Sequence, residues 1–306
     1  MLRYVIGRLL GAIPTLFVIV TVAFFLIRVA PGGPFNLERP LPPQIMANLE
    51  AYYGLDQPLF QQYLSYLRGL VTGDLGPSYV YRDFTVDELL RQGLPVSIQL
   101  GGTALLLALA VGAALGTYAA VRQNRPADVG VMTLAMVGIT IPNFVMAPVL
   151  TLVLAIWLGW LPAGGWGEGS LLHKILPIFT LALPQIAIIA RLTRGSMIEV
   201  LRAHHIRTAR ANGLPPAVVT RRALRGALLP VVSYLGPAAA ALLTGSVVIE
   251  TIFGIPGIGR NFVQGALNRD YTLVMGTVVT VALFVVLFNL VVDLLYAVLD
   301  PKVRYD

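Results

Sequence analysis

Glu199–Pro230, EVLRAHHIRTARANGLPPAVVTRRALRGALLP, is the polar break in an otherwise apolar chain. Eight arginines and one acid, Glu199, fall between Arg191 and Arg225, so residues 191–225 alone carry +7, the formal charge of the whole protein. Apolar stretches flank it on both sides, and a bilayer core takes roughly 20 such residues per helix. A basic segment between two spans stays on the cytoplasmic face. The segment also has a shape. Ile206–Asn212 reads as a short helix with Arg207 and Arg210 on one side and Thr208, Ala209 and Ala211 giving it a low profile. Gly213 stops that helix, Pro215 and Pro216 prevent its continuation, and a second run carries Arg221, Arg222 and Arg225. Helix, glycine break, helix is a shape that can dock into a groove; the plainer reading of the arginines is that they only enforce topology and bind anionic headgroups.

Composition supports a polytopic membrane protein. Of the 306 residues 57% are hydrophobic and 12% charged, against about 25% charged in a soluble domain. The chain has no cysteine and three scattered histidines, which excludes disulfides and thiolate metal sites. Its two lysines, Lys174 and Lys302, stand outside any G-x-x-x-x-G-K-[ST] pattern, so ATP, if used, is hydrolysed by another chain. A nucleic-acid reading fails because the basic patch lacks interleaved aromatics. A membrane-embedded enzyme would have to pair Ser196 or Ser246 with His204 or His205, and neither serine sits in a G-x-S-x-G elbow.

Outward from the basic segment the chain predicts an all-α architecture of six transmembrane helices. The spans are Leu9–Ile27, Ile98–Ala120, Val129–Leu158 (interrupted by Pro142, Asn143 and Pro148), Ile175–Ala190, Leu228–Ile249 and Tyr271–Val292. Gly112 and Gly116 in the second give the small-xxx-small spacing of closely packed helices. Domain organisation follows: residues 1–30 hold the first span, 31–95 form a polar excursion, and 96–306 form the core, with the cytoplasmic loop at 194–228. In the excursion Pro42 and Pro43 open a short helix that Gly54 ends, and Pro58 opens a second that runs to about Leu70. A T-x-x-E capping box, Thr85 to Glu88, opens a third that Gly93 and Pro95 stop. Its tyrosines, Tyr52, Tyr53, Tyr63, Tyr66, Tyr79 and Tyr81, pack a small core of the excursion, sit at headgroup level or meet a partner. With six spans both termini lie in the cytoplasm, on the side holding fourteen Lys and Arg against eight, and 31–95 faces outward.

At Arg207–Ala211, R-T-A-R-A before Gly213, the docking segment resembles the EAA coupling loop of bacterial binding-protein-dependent ABC permeases, in the form of their peptide-transport branch. The Leu-Pro of the general motif, expected at 225–226, stands at Leu229-Pro230. RLLGAIPTLFVIVTVAFFLIRVAPGGPF, GDLGPSYVYRDFTVDELL, VIETIFGIPGIGRNFVQGALNRDY and VDLLYAVLDPKVRY are similar to other family hallmarks in the same order, so the resemblance covers essentially the whole chain. Length and the modest first loop favour the oligopeptide over the dipeptide systems.

The resemblance implies the type I importer permease fold in the inner membrane and a non-catalytic subunit. It implies a second permease completing the pathway, two ATP-binding subunits that use ATP and Mg, and a periplasmic peptide-binding protein, with dipeptides, nickel chelates or another small solute as alternative cargo. Arg207, Thr208, Ala209, Arg210, Ala211, Asn212 and Gly213 would couple to the ATPases. Three further polar residues stand in or near the spans. Asn143 either lines the pathway or repairs the Pro142 kink. Asn289 and Asp293, four residues apart on one face, either handle substrate or anchor the sixth helix. Glu250, Phe253, Pro256, Ile258 and Arg260 read as an outward loop for the binding protein or, more plainly, an interfacial acid beside a glycine-proline turn.

Overall fold

The computed structural model describes residues 2–29, 33–35, 42–81 and 83–299; for 2–6, 8–9, 293 and 295–299 it describes the backbone. Among the described residues the chain is helical, with a single isolated bridge, Pro77 to Thr85. Five helices are long and apolar enough to cross a membrane: α1 (Leu2–Val29), α4 (Val86–Val121), α7 (Leu171–Leu201), α10 (Leu229–Phe253) and α12 (Tyr271–Leu299). The pair α5 (Pro126–Thr140) and α6 (Asn143–Leu150), extended by a π-helical run Thr151–Trp157, passes together as a sixth but is bent by 107°.

The kink expected at Pro142, Asn143 or Pro148 falls at Pro142, and at 107° it is a sharp break in the third span. Pro142 disfavours the helical conformation at the residue before it, and Ile141 is extended at φ −88°, ψ 118°. Pro148 lies inside α6 without ending it. One expectation is corrected. Gly93 and Pro95 do not stop a short helix, because α4 runs through both for 36 residues. The bond Pro95 cannot donate would go to the Arg91 carbonyl, on an exposed turn. Gly93 instead permits close approach, since a Cβ there would stand 3.0 Å from the Gly257 backbone. The fourth span, expected to be extended past Ala190 by Thr193 and the stems of Arg191 and Arg194, continues further still, α7 running to Leu201.

The chain divides into two compact units. The first comprises Met1–Val5, Ser97–Ile255 and Val285–Asp306. Its centre is α7, with thirteen buried residues. A Cβ on Gly112 would stand 2.8 Å from Ile189 Cβ, and one on Gly116 would overlap the Ala190 carbonyl, so the paired glycines do bring α4 against α7. Tyr234 donates to Gln185 Oε1 at 2.9 Å, a polar tie between α10 and α7.

The second unit comprises Ile6–Val96 and Pro256–Phe284. α2 (Pro43–Tyr52) and α3 (Leu59–Thr72) start at the predicted prolines. The capping box forms as read, with Thr85 N–H donating to Glu88 Oε2 at 3.0 Å and Glu88 N–H to Thr85 Oγ1 at 3.4 Å. The segment expected as an outward loop folds in part as α11 (Ile258–Leu267). Ile258 packs with Val86, Leu90 and Leu273, while Val20 and Phe24 of α1 pack with Tyr63 and Met275. Asp270 caps α12: fully buried, it accepts from Leu273 N–H at 3.1 Å, Thr272 Oγ1 at 2.9 Å, Val80 N–H at 3.3 Å and the Ser78 hydroxyl.

Candidate functional site

The basic segment folds as the sequence predicts, as α8 (His204–Ala211) and α9 (Pro216–Ala227) after α7. The break between them is a Schellman turn. Gly213 N–H donates to Arg210 O at 3.0 Å and Leu214 N–H to Ala209 O at 3.2 Å, closing the helix end on itself. Gly213 has φ +72° and open space where a Cβ would stand, so glycine is needed here for its left-handed backbone rather than its size.

Below this turn lies an apolar seat. Ile206 of α8, Val219, Ala223 and Ala227 of α9, Met197 of α7 and Ala120 of α4 form one buried cluster, with Leu214 packed against it. The spacing 219, 223, 227 is the inward stripe of α9, which leaves Arg221, Arg222 and Arg225 exposed. On α8 the exposed positions are Arg207, Thr208, Arg210 and Ala211, followed by Asn212 and Gly213. Ala209 differs from the rest of the expected docking set. It is 4% exposed and faces inward one turn from Ile206, so its small size lets α8 sit close to its own chain.

The seat is tied to the neighbouring helix by charge. Arg194 donates from Nε to Asp128 Oδ1 at 2.6 Å and from its terminal nitrogen to Asp128 Oδ2 at 2.7 Å, and Asn124 N–H adds a third bond at 2.8 Å. Asp128 is 2% exposed and Arg194 partly exposed, so this two-pronged pair joins α5 to α7 with its carboxylate side out of water. Sequence reasoning missed it. Its signal was a lone acid at the start of a helix, in a link otherwise carrying Arg122 and Arg125.

A cavity of about 530 Å³ opens beside α8, with Arg125, Arg202 and Arg210 over Ala120, Ile198 and Leu214. Among the described residues none of the three guanidiniums is in a salt bridge. The exposed face of α8 and this cavity therefore present uncompensated positive charge on a rigid seat, which suits an acidic protein surface.

The other candidate residues do not gather with these. Asn143 begins α6, its Oδ1 buried without a hydrogen-bond partner. Asn289 is an exposed residue of α12, with its Oδ1 2.7 Å from where a Cβ on Gly236 would stand. The Asp293 side chain lies outside the described residues. Burial divides the expected outward contact set. Glu250 is fully buried and accepts from Ser97 Oγ at 2.6 Å, and Phe253 and Ile258 are 2% and 3% exposed. Pro256 and Arg260 are exposed.

Two family models match the chain. The one described as "Binding-protein-dependent transport system inner membrane component" covers residues 112–305, and "Binding-prot-dependent transport system membrane comp, N-term" covers residues 1–83. The chain is 55% identical to the oligopeptide transport system permease protein OppB of Salmonella typhimurium and 52% identical to that of Haemophilus influenzae. Both comparisons run over 306 residues and all of each chain. It is 46% identical, over 99% of its length and 98% of the relative's, to the dipeptide transport system permease protein DppB of Bacillus subtilis.

Proposed function

The chain belongs to the binding-protein-dependent transport system inner membrane components, and from that premise we propose that it is the permease subunit of an ATP-driven importer of oligopeptides. As a family member it is a multi-pass, non-catalytic membrane component. The observation that carries the oligopeptide reading is 52–55% identity, end to end, to permeases named for oligopeptide transport, against 46% to one named for dipeptides. Its partners in this reading are a second permease, two ATP-binding subunits that consume ATP with Mg, and a periplasmic peptide-binding protein. Both termini and the α8–α9 segment face the cytoplasm.

The geometry supports a specific transmission path. The ATPases grip the exposed face of α8 through Arg207, Thr208 and Arg210. Because α8 is closed by its own Schellman turn and seated through Ile206 and Leu214, a pull on it is delivered to α7 and α9 rather than absorbed by unwinding. The Arg194–Asp128 pair carries the same motion into α5.

Cysteine crosslinking in the assembled complex tests this. Thr208→Cys, on the exposed face, should crosslink to an ATPase and change its yield with nucleotide, whereas Ile206→Cys, fully buried, should not. Peptide uptake in proteoliposomes should require this chain, the binding protein and ATP together. An Ile206→Cys crosslink as strong as that of Thr208→Cys would overturn the assigned face, and peptide-independent assembly with no uptake would overturn the cargo.

A further inference from the structure

A second site lies in the other unit. Arg28, in the last turn of α1, is half-buried with its guanidinium 3.6 Å above the Phe24 ring. Its Nε donates to Gln62 Oε1 at 3.1 Å. The Gln62 amide is itself held, donating to the Leu55 and Gln57 carbonyls at 3.1 and 2.8 Å, so this arrangement aims the guanidinium rather than neutralising it. A guanidinium has five N–H donors, and among the described residues no carboxylate comes within ion-pair distance of Arg28. Half-burying a cation without a counter-ion is costly.

The same side chain borders a cavity of about 450 Å³, with Tyr53, Tyr66, Tyr79 and Gln57 around it. The Tyr66 hydroxyl is buried and has no hydrogen-bond partner. Burial pushes the Tyr66 and Tyr79 hydroxyls up to about 12, with Arg28 opposing the shift, so both are neutral donors at physiological pH. Asp74, the acid on the wall, has its Oδ1 engaged by Gly76 N–H at 2.9 Å. A cavity with one aimed cation, an orphaned hydroxyl donor, aromatic walls and amide groups is complementary to a small organic anion, and its volume falls within the roughly 300–1,000 Å³ of small-ligand pockets.

Resting on the peptide-permease reading, we propose that this cavity receives the C-terminal carboxylate of the transported peptide, with Arg28 and the Tyr66 hydroxyl as its donors and the tyrosine faces holding the last side chain. An outer-leaflet lipid phosphate would use the same cation, but the neighbouring Gln57 side-chain amide suits a peptide backbone better than a phosphodiester.

The test uses the complete complex in proteoliposomes, with its binding protein saturated in turn by a peptide and by the same peptide bearing a C-terminal amide. Loss of a charge-assisted contact should leave the free acid favoured over the amide by about tenfold in the intact protein, and Arg28→Gln should bring that ratio close to one. Arg28→Lys should retain part of it. Tyr66→Phe removes a hydroxyl that bonds to nothing, so it should cost no thermal stability yet lower free-acid uptake several-fold. Equal uptake of acid and amide by the intact complex would overturn the proposal. So would a parallel fall of both in Arg28→Gln, which marks a structural or binding-protein contact, or a loss that follows the phosphatidylglycerol content of the vesicles. A complex that imports neither peptide would refute the peptide reading itself, which separates that failure from failure of the cavity.

Discussion

Replacing Arg194 by glutamine should uncouple and destabilise the subunit at once. The substitution removes two charge-assisted hydrogen bonds of 2.6 and 2.7 Å and leaves Asp128, 2% exposed, with the Asn124 backbone N–H as its remaining donor in that cluster. Breaking one side of a buried ion pair costs about 3–5 kcal/mol. Because the Arg194 side chain keeps 27% of its exposure, the lower end applies, about 3 kcal/mol or a factor of about 150 in the folding equilibrium. Asp128→Leu with Arg194→Met should recover at least half of that loss, since a pair of apolar side chains leaves no stranded charge. The assay is denaturant unfolding of the purified complex alongside the ratio of ATP hydrolysed to peptide imported. The double variant should regain stability while the ratio stays high, because the tie from α7 to α5 is then apolar and slack. An Arg194→Gln complex within about 0.5 kcal/mol of the intact protein, and equally coupled, would refute the reasoning.

At Gly213, alanine should cost about 1–2 kcal/mol from the left-handed backbone, and asparagine clearly less; peptide-stimulated ATPase activity should rank glycine, asparagine, alanine, and equal activity would show that the turn is not stressed in transport. Asp270→Ala removes the α12 cap and the acceptor of Ser78, and should lower unfolding stability by about 3 kcal/mol, read by thermal unfolding in detergent. Tyr66 and Tyr79 hold their protons up to about 12, against about 10 in an unfolded chain. The folded state therefore binds the extra protons, stability falls as pH rises from about 10 through about 12, and ultraviolet titration should find two phenols ionising late.

Much of the fold was legible because its signals are local. Apolar length located the spans, the prolines and the Thr85–Glu88 box placed helix starts, and Gly213 with Pro215 and Pro216 outlined the break between α8 and α9. What the sequence obscured depends on partners far along the chain. Gly93 reads as a stop, yet it is a contact point for the Gly257 backbone. Glu250 reads as an interfacial acid until Ser97, 153 positions away, is found bonded to it. Ala209 and Thr208 look alike as small residues, and the helix phase set by Ile206 decides which faces inward. Chain length did not separate oligopeptide from dipeptide relatives, since both match nearly end to end; identity did.

The continuation of α7 past its arginines has a mechanical consequence. From Gln185 to Leu201 the helix contains no proline and no break, which makes a stiff rod of about 25 Å. Each ångström of sideways travel at the Leu201 end turns such a rod by about 2°. A joint that followed the expected span end at Ala190 would have let the basic segment swing freely. Without one, a displacement of α8 would be carried along the rod as rotation of α7, so if the proposed coupling holds, transport efficiency should scale with the bending stiffness of residues 185–201.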